Sequence, residues 1–128
     1  MIHEWNQPVY RKIARQAESK QAIRDVEYMR MIVYRFPKLY WCCYCEDTGI
    51  GMAMFNKGKC RIIGIAVCKD KQRQGIGRMI LKEIENACIQ KNIHEMYTVS
   101  KTGLEFYSAN GFMVQDVIHG DYVMRKYI

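Results

Sequence analysis

Nine residues constrain this chain more than any others. Cys60-Arg61-Ile62-Ile63-Gly64-Ile65-Ala66-Val67-Cys68 is apolar save for one arginine. Its length and its β-branched residues suit a buried strand. The run passes without a linker into the basic loop Lys69-Asp70-Lys71-Gln72-Arg73-Gln74, then into Gly75-Ile76-Gly77. Ile76, Ile80, Ile84 and Ala87 then recur at helical spacing, to about residue 91. A buried strand, a short loop and a helix, in that order, call for a sheet covered by helices.

The rest of the chain fits that demand. Pro8 suits the first turn of a helix. Val9, Ile13 and Ala17 recur every four residues, and Ala22, Val26, Met29, Val33 and Phe36 carry the stripe on to Pro37. Ser19 leaves open whether this is one helix or two. Residues 39–45 and 50–56 read as strands joined by Glu46-Asp47-Thr48-Gly49, with a second turn at Asn56-Lys57-Gly58-Lys59. Residues 93–99 are strand-like. Thr102-Gly103-Leu104-Glu105 has capping-box spacing and predicts a short helix, which Asn110-Gly111 ends. Residues 112–117 and 122–128 are closing strands around a turn at His119-Gly120-Asp121. This order predicts a single α+β domain over residues 1–128. Its sheet is mostly antiparallel, with parallel pairing where a helix crosses over.

Composition excludes several classes. Of 128 residues, 49% are hydrophobic and 26% charged, which excludes a disordered or collagenous chain. No apolar run approaches the roughly 18–20 residues that span a bilayer. No basic region followed by an apolar run opens the chain. A cytoplasmic protein with reduced thiols is therefore expected, without a membrane partner. The six cysteines include a CxxC at Cys42 and Cys45. Alternation along a strand sends those two to opposite faces, and no second CxxC or paired His follows, so buried thiols are expected rather than a metal site. Twenty Lys and Arg against thirteen Asp and Glu give a net charge of +7. Seven of the basic residues lie between Lys57 and Arg78, with Asp70 the one acid among them. That stretch favours an anionic partner.

The chemistry concentrates in the same stretch. Glycines let a backbone turn tightly and let a ligand approach the main chain. The first amides of a helix have no internal partner, and the helix dipole adds positive potential there. Together they form an anion site, to which Gln72, Arg73 and Arg78 add donors. The GxGxxG of a dinucleotide site and the Lys-Ser/Thr of a P-loop are both absent.

Gln72-Arg73-Gln74-Gly75-Ile76-Gly77 resembles the Gln/Arg-x-x-Gly-x-Gly/Ala motif of the GNAT superfamily, the acyl-CoA-dependent N-acetyltransferases. The resemblance extends to Ile65-Ala66-Val67, to Glu105-Phe106-Tyr107-Ser108-Ala109-Asn110-Gly111-Phe112 and to the order of elements. It implies a mixed, mostly antiparallel sheet of about six to seven strands, flanked by helices and splayed at the cofactor site. It implies an acyltransferase with acetyl-CoA as co-substrate and no metal, acting on a primary amine of a small molecule, amino acid or protein. Backbone amides from Gln72 through Gln74, Gly75, Ile76 and Gly77 to Arg78 would bind the pyrophosphate, with Arg73 where the family often has Gly. Val67, at a bulge where two strands splay, would pair with pantetheine and, with Ala66, orient the thioester. Ser100 takes the place of a family Asn, and Tyr107 that of the general acid, since a phenol, with an unperturbed pKa of about 10, can protonate the departing sulfur.

Two departures follow. Arg61 stands where some members carry a Glu base, leaving His119, Asp121 and Glu27 as candidates. The N-terminus is short, so a first strand is absent or rudimentary. A homodimer is consistent with the resemblance. The competing readings are a non-catalytic acyl-CoA-binding or regulatory module and a basic nucleic-acid-binding domain. The second lacks an RNP, zinc-finger or helix-turn-helix signature, so nucleic acid is not the expected partner.

Overall fold

The computed structural model describes residues 1–128. The N-terminal stripe is two helices, α1 (Gln7–Gln16) and α2 (Lys20–Arg35). The Asn6 side chain accepts from the Val9 amide at 3.2 Å, and Pro8 needs no partner for its nitrogen. Ser19 does the same for α2, its hydroxyl accepting from the Ala22 amide at 3.2 Å. Between them Glu18 takes φ 53°, which turns the chain without glycine.

Three strands follow: β1 (Tyr40–Cys45), β2 (Gly49–Asn56) and β3 (Lys59–Val67). Lys57 and Gly58 both have positive φ, the twist a two-residue hairpin favours. A short 3₁₀ turn (Lys69–Lys71) leads to α3 (Ile76–Gln90), β4 (Glu95–Ser100), α4 (Leu104–Ala109), β5 (Met113–Ile118) and β6 (Asp121–Tyr127). The expected capping box does not form. Thr102 is exposed, and the Ser100 hydroxyl instead accepts from the Gly103 amide at 2.8 Å, so α4 starts after Gly103 with no side-chain cap. Its end is as expected: Gly111 has φ 90°, and the Phe112 amide bonds back to the Tyr107 carbonyl at 3.0 Å.

The six strands form one sheet in the order β1-β2-β3-β4-β6-β5. All pairs are antiparallel except β3–β4. The N-terminus adds only a bridge, in which Ile2 and Tyr44 exchange two hydrogen bonds of 2.9 Å. Helices cover both faces. Tyr10, Ile13, Val26 and Met29 from α1 and α2 pack on Cys42, Met52 and Ala66. Ile80, Ile84 and Cys88 from α3, with Tyr107, pack on Cys43, Ala53, Ile62 and Met96. Cys42 and Cys45 pack on opposite faces, as strand alternation predicts.

Two irregularities in β3 prepare the site. Its parallel pairing with β4 lasts only for Cys60–Met96, Arg61–Tyr97 and Ile62–Thr98, after which the strands part. The Thr98 hydroxyl donates to the Ile62 carbonyl at 3.1 Å and closes the fork. At the same place β3 bulges against β2: Ile62 pairs with Ala53 and Gly64 with Met52, leaving Ile63 extra. The bulge was expected at Val67 and lies instead at Ile63. As a result two consecutive residues, Ile63 and Gly64, face α2, while Ile65 faces the other side.

Candidate active site

The fork opens a cleft of about 700 Å³ bounded by α2, β3, the loop after β3, α3, β4 and α4. Ala66, Val67, Gln72, Arg73, Gly75, Ile76, Gly77, Arg78, Ser100 and Tyr107 all line it. Of the residues expected to bind the cofactor, Gln74 alone does not.

One end of the cleft is built for an anion. The first helical bond of α3 runs from the Met79 amide to the Gly75 carbonyl, so the amides of Ile76, Gly77 and Arg78 have no partner within the helix. Gly75 has φ 82° and Arg73 φ 65°, two left-handed residues that turn the loop tightly into α3. A side chain on Gly75 would enter open space, with no atom within 4 Å of its Cβ. Gly77 is a close approach: its Cβ would stand 3.0 Å from the Phe106 ring and 3.8 Å from Val67. Of the seven basic residues from Lys57 to Arg78, only Lys71, Arg73 and Arg78 line the cleft. Lys69 is held by Glu18 at 3.0 Å and Lys59 by Glu95 at 3.9 Å.

The middle offers a strand edge that no neighbouring strand pairs with. The Cys68 amide bonds to the Thr48 carbonyl just before β2, so alternation turns the main-chain groups of Val67 and Ile65 toward the fork. Gln72 reaches back and donates from Nε2 to the Val67 carbonyl at 3.0 Å. Ser100 lines the wall, but its hydroxyl is engaged with Gly103.

Tyr107 lies beyond this edge, 5% exposed, with its ring edge-on to Phe106 and Phe112 at 5.1 and 5.2 Å. Burial lifts its phenol well above the ordinary value, against the Thr98 hydroxyl, which lowers it, and the Asp25 carboxylate adds to the lift. Tyr107 therefore keeps its proton throughout the physiological range.

Asp25 is the residue that sequence reading missed. It lies on α2 and lines the cleft where β3 has bulged. A Cβ on Gly64 would stand 2.7 Å from Asp25 Oδ2, so this glycine makes room for the carboxylate. Gln21 Nε2 donates to Oδ1 at 2.9 Å, and Gln21 Oε1 accepts from the Lys101 amide at 3.4 Å. Burial raises the Asp25 carboxyl from 3.8 to about 6, although Gln21, Arg24 and Arg61 pull it down. The three bases considered from sequence lie elsewhere. Glu27 is exposed and paired with Arg11 and Arg30, each at 3.3 Å, while His119 sits in the β5–β6 turn and Asp121 opens β6; none lines the cleft. Arg61 lies over the Tyr28 ring at 5.6 Å.

Asp25 carries a stability cost with a definite pH sign. Its folded value is raised, so the penalty is absent below the unfolded value of 3.8, grows between 3.8 and about 6, and is complete above. Two pH units of difference correspond to about 3 kcal/mol at neutral pH. Asp25→Asn is expected to be more stable than wild type at pH 7, by about 1–3 kcal/mol in urea denaturation, and to lose that advantage near pH 4.

An anion cradle at a helix N-terminus, a strand edge exposed at the fork and a buried phenol lie along one cleft. Residues 37–114 match the family model described as acetyltransferase (GNAT) domain. The chain belongs to the GNAT acetyltransferase family. A search of curated protein sequences returns no match. Among solved structures, the PaiA N-acetyltransferase from Thermoplasma acidophilum in complex with coenzyme A superposes with a TM-score of 0.77 at 19% identity, over 100% of both chains. An aminoglycoside 6′-N-acetyltransferase complexed with coenzyme A gives 0.73 at 13% identity, over 99% of this chain and 97% of that one. Naa20 from Chaetomium thermophilum, in complex with a bisubstrate analogue, gives 0.71 at 16% identity, over 100% and 87%.

Proposed function

We propose that the whole chain is one acetyl-CoA-dependent N-acetyltransferase domain that acetylates a primary amine by direct transfer. The observation that carries this reading is the continuity of the cleft from the α3 amides, past the outward edge of β3 at Val67 and Ile65, to Tyr107. The residues fit acetyl-CoA in charge and shape. The amides of Ile76, Gly77 and Arg78, with Arg73 and Lys71, suit a pyrophosphate. The outward groups of Ile65 and the outward amide of Val67 suit the amides of a pantetheine arm, while Gln72 holds the Val67 carbonyl. Acetyl-CoA supplies the activated acyl group as a thioester.

The protein's own part is to hold and to protonate. Val67 and Ala66 fix the arm along β3. Tyr107, kept protonated by burial, gives its proton to sulfur as charge develops there. The apolar wall of Phe106 and Ile65 keeps bulk water from that step.

The test is a thiol-release assay with acetyl-CoA and three primary amines: n-hexylamine, glycinamide and N-α-acetyl-lysine amide. Thiol release dependent on an amine, with the acetylated amine found by mass spectrometry, is the expected result. Acetyl-CoA binding without transfer to any amine would support a non-catalytic carrier module instead.

A further inference from the structure

We infer that Asp25 receives the ammonium group of the acceptor and acts as its general base. The inference rests on the acetyltransferase reading and names a residue and an acceptor charge that the family assignment leaves open. Three observations carry it. The carboxylate faces the cleft at the fork, the same cavity that Tyr107 lines. The chain makes room for it with a bulge and a glycine, since any Cβ on Gly64 would collide with Oδ2. Gln21 engages Oδ1 alone, so no hydrogen bond ties up Oδ2. A half-buried carboxylate with one oxygen free and facing the cleft can take a cation or donor, and an alkylammonium supplies both.

The cleft is thereby polarised. Lys71, Arg73 and Arg78 lie at the end for phosphates, and Asp25 lies at the fork beside Tyr107. An acceptor enters with its ammonium toward Asp25. Asp25 takes one proton from that ammonium, freeing the nitrogen lone pair. The nitrogen bonds to the acyl carbon, the carbon–sulfur bond breaks with its electron pair going to sulfur, and Tyr107 protonates the sulfur. The second proton lost by nitrogen restores Tyr107, and the proton on Asp25 leaves to solvent. The charged and titratable groups facing the carboxyl are Arg24 on its own helix, Arg61 on β3 and Tyr107 on α4. The two arginines favour the ionised form, while burial opposes it and prevails, raising the carboxyl to about 6. Asp25 is then mostly ionised at pH 7, and the rate falls as pH drops through about 6.

The experiment compares wild type with Asp25→Asn and with Glu27→Gln, an exposed carboxylate on the same helix that serves as control. Acetyl-CoA affinity is read by calorimetry, kcat/KM by the amine assay across pH, and the Asp25 carboxyl by ¹³C NMR. The expected result is a loss of about 100-fold in kcat/KM for Asp25→Asn. Acetyl-CoA affinity should stay within about twofold, and Glu27→Gln should match wild type. The acid limb near pH 6 should vanish with Asp25, and the resonance missing in Asp25→Asn should titrate near 6 and move on adding n-hexylamine. An Asp25→Asn enzyme within about threefold of wild type, or an acid limb that survives, would overturn the assignment. Acetyl-CoA binding with no amine acetylated would overturn it too, while leaving the cofactor reading intact. No acetyl-CoA binding in wild type would instead sink the acetyltransferase reading, and the assignment with it.

Discussion

Tyr107→Phe lowers kcat by about 100-fold and leaves acetyl-CoA affinity within about twofold. The reasoning starts from burial. The ring is 5% exposed and wedged between Phe106 and Phe112, so removing the hydroxyl changes neither its packing nor the course of α4. The cradle for the phosphates lies on a different element, at the start of α3. What the variant loses is a proton donor that burial keeps loaded at every physiological pH. The stability change is that of one hydrogen-bonding group, about 1 kcal/mol. Steady-state kinetics with saturating acetyl-CoA, beside calorimetry on the same preparation, checks the split. An unaltered kcat would mean that another group, or water, protonates the sulfur.

Gly75→Val and Gly77→Val are expected to fail in different ways. At Gly75 the obstacle is the backbone, because φ 82° is a region that a β-branched residue resists. Reverting to negative φ turns the α3 amides away from the cradle. A strain of about 1–2 kcal/mol corresponds to about tenfold weaker acetyl-CoA binding, with kcat nearly intact once the ligand is saturating. At Gly77 the obstacle is Phe106, 3.0 Å from where a Cβ would be. Overpacking costs about 1–3 kcal/mol and pushes α4 away from α3. Tyr107 follows Phe106 in sequence, so Gly77→Val should lower both acetyl-CoA affinity, by about tenfold or more, and kcat. Titration and rate measurements on both variants, each shown to unfold cooperatively, read the difference. Wild-type affinity in both would mean that the cradle lies elsewhere.

The order of helices and strands was legible because periodicity and turn residues agreed along most of the chain. The glycine loop was legible for a second reason: positive φ and exposed amides leave a mark in residue type. The capping box at Thr102 misled because Ser100, two residues earlier, reaches the same turn from the end of β4. The bulge at Ile63 has no mark of that kind. It depends on how β3 pairs with β2 while parting from β4, a tertiary matter that the run from Cys60 to Cys68 does not encode locally. Asp25 escaped with it, since its pocket exists only because of the bulge. One signal was available. Asp25 falls three residues after Ala22 and four before Met29, inside the apolar stripe of α2, where a charged residue needs a reason. Glu27, which drew attention instead, belongs to the exposed face.

The central claim is that the cleft at the β3–β4 fork holds acetyl-CoA. Calorimetric titration of the purified protein with acetyl-CoA tests it most directly, with desulfo-CoA and double-stranded DNA as comparators. The account predicts saturable one-to-one binding of acetyl-CoA and of desulfo-CoA, weakened in Gly75→Val, and no comparable binding of DNA. No binding of acetyl-CoA, with salt-sensitive binding of DNA, would contradict it and make the basic surface the functional one.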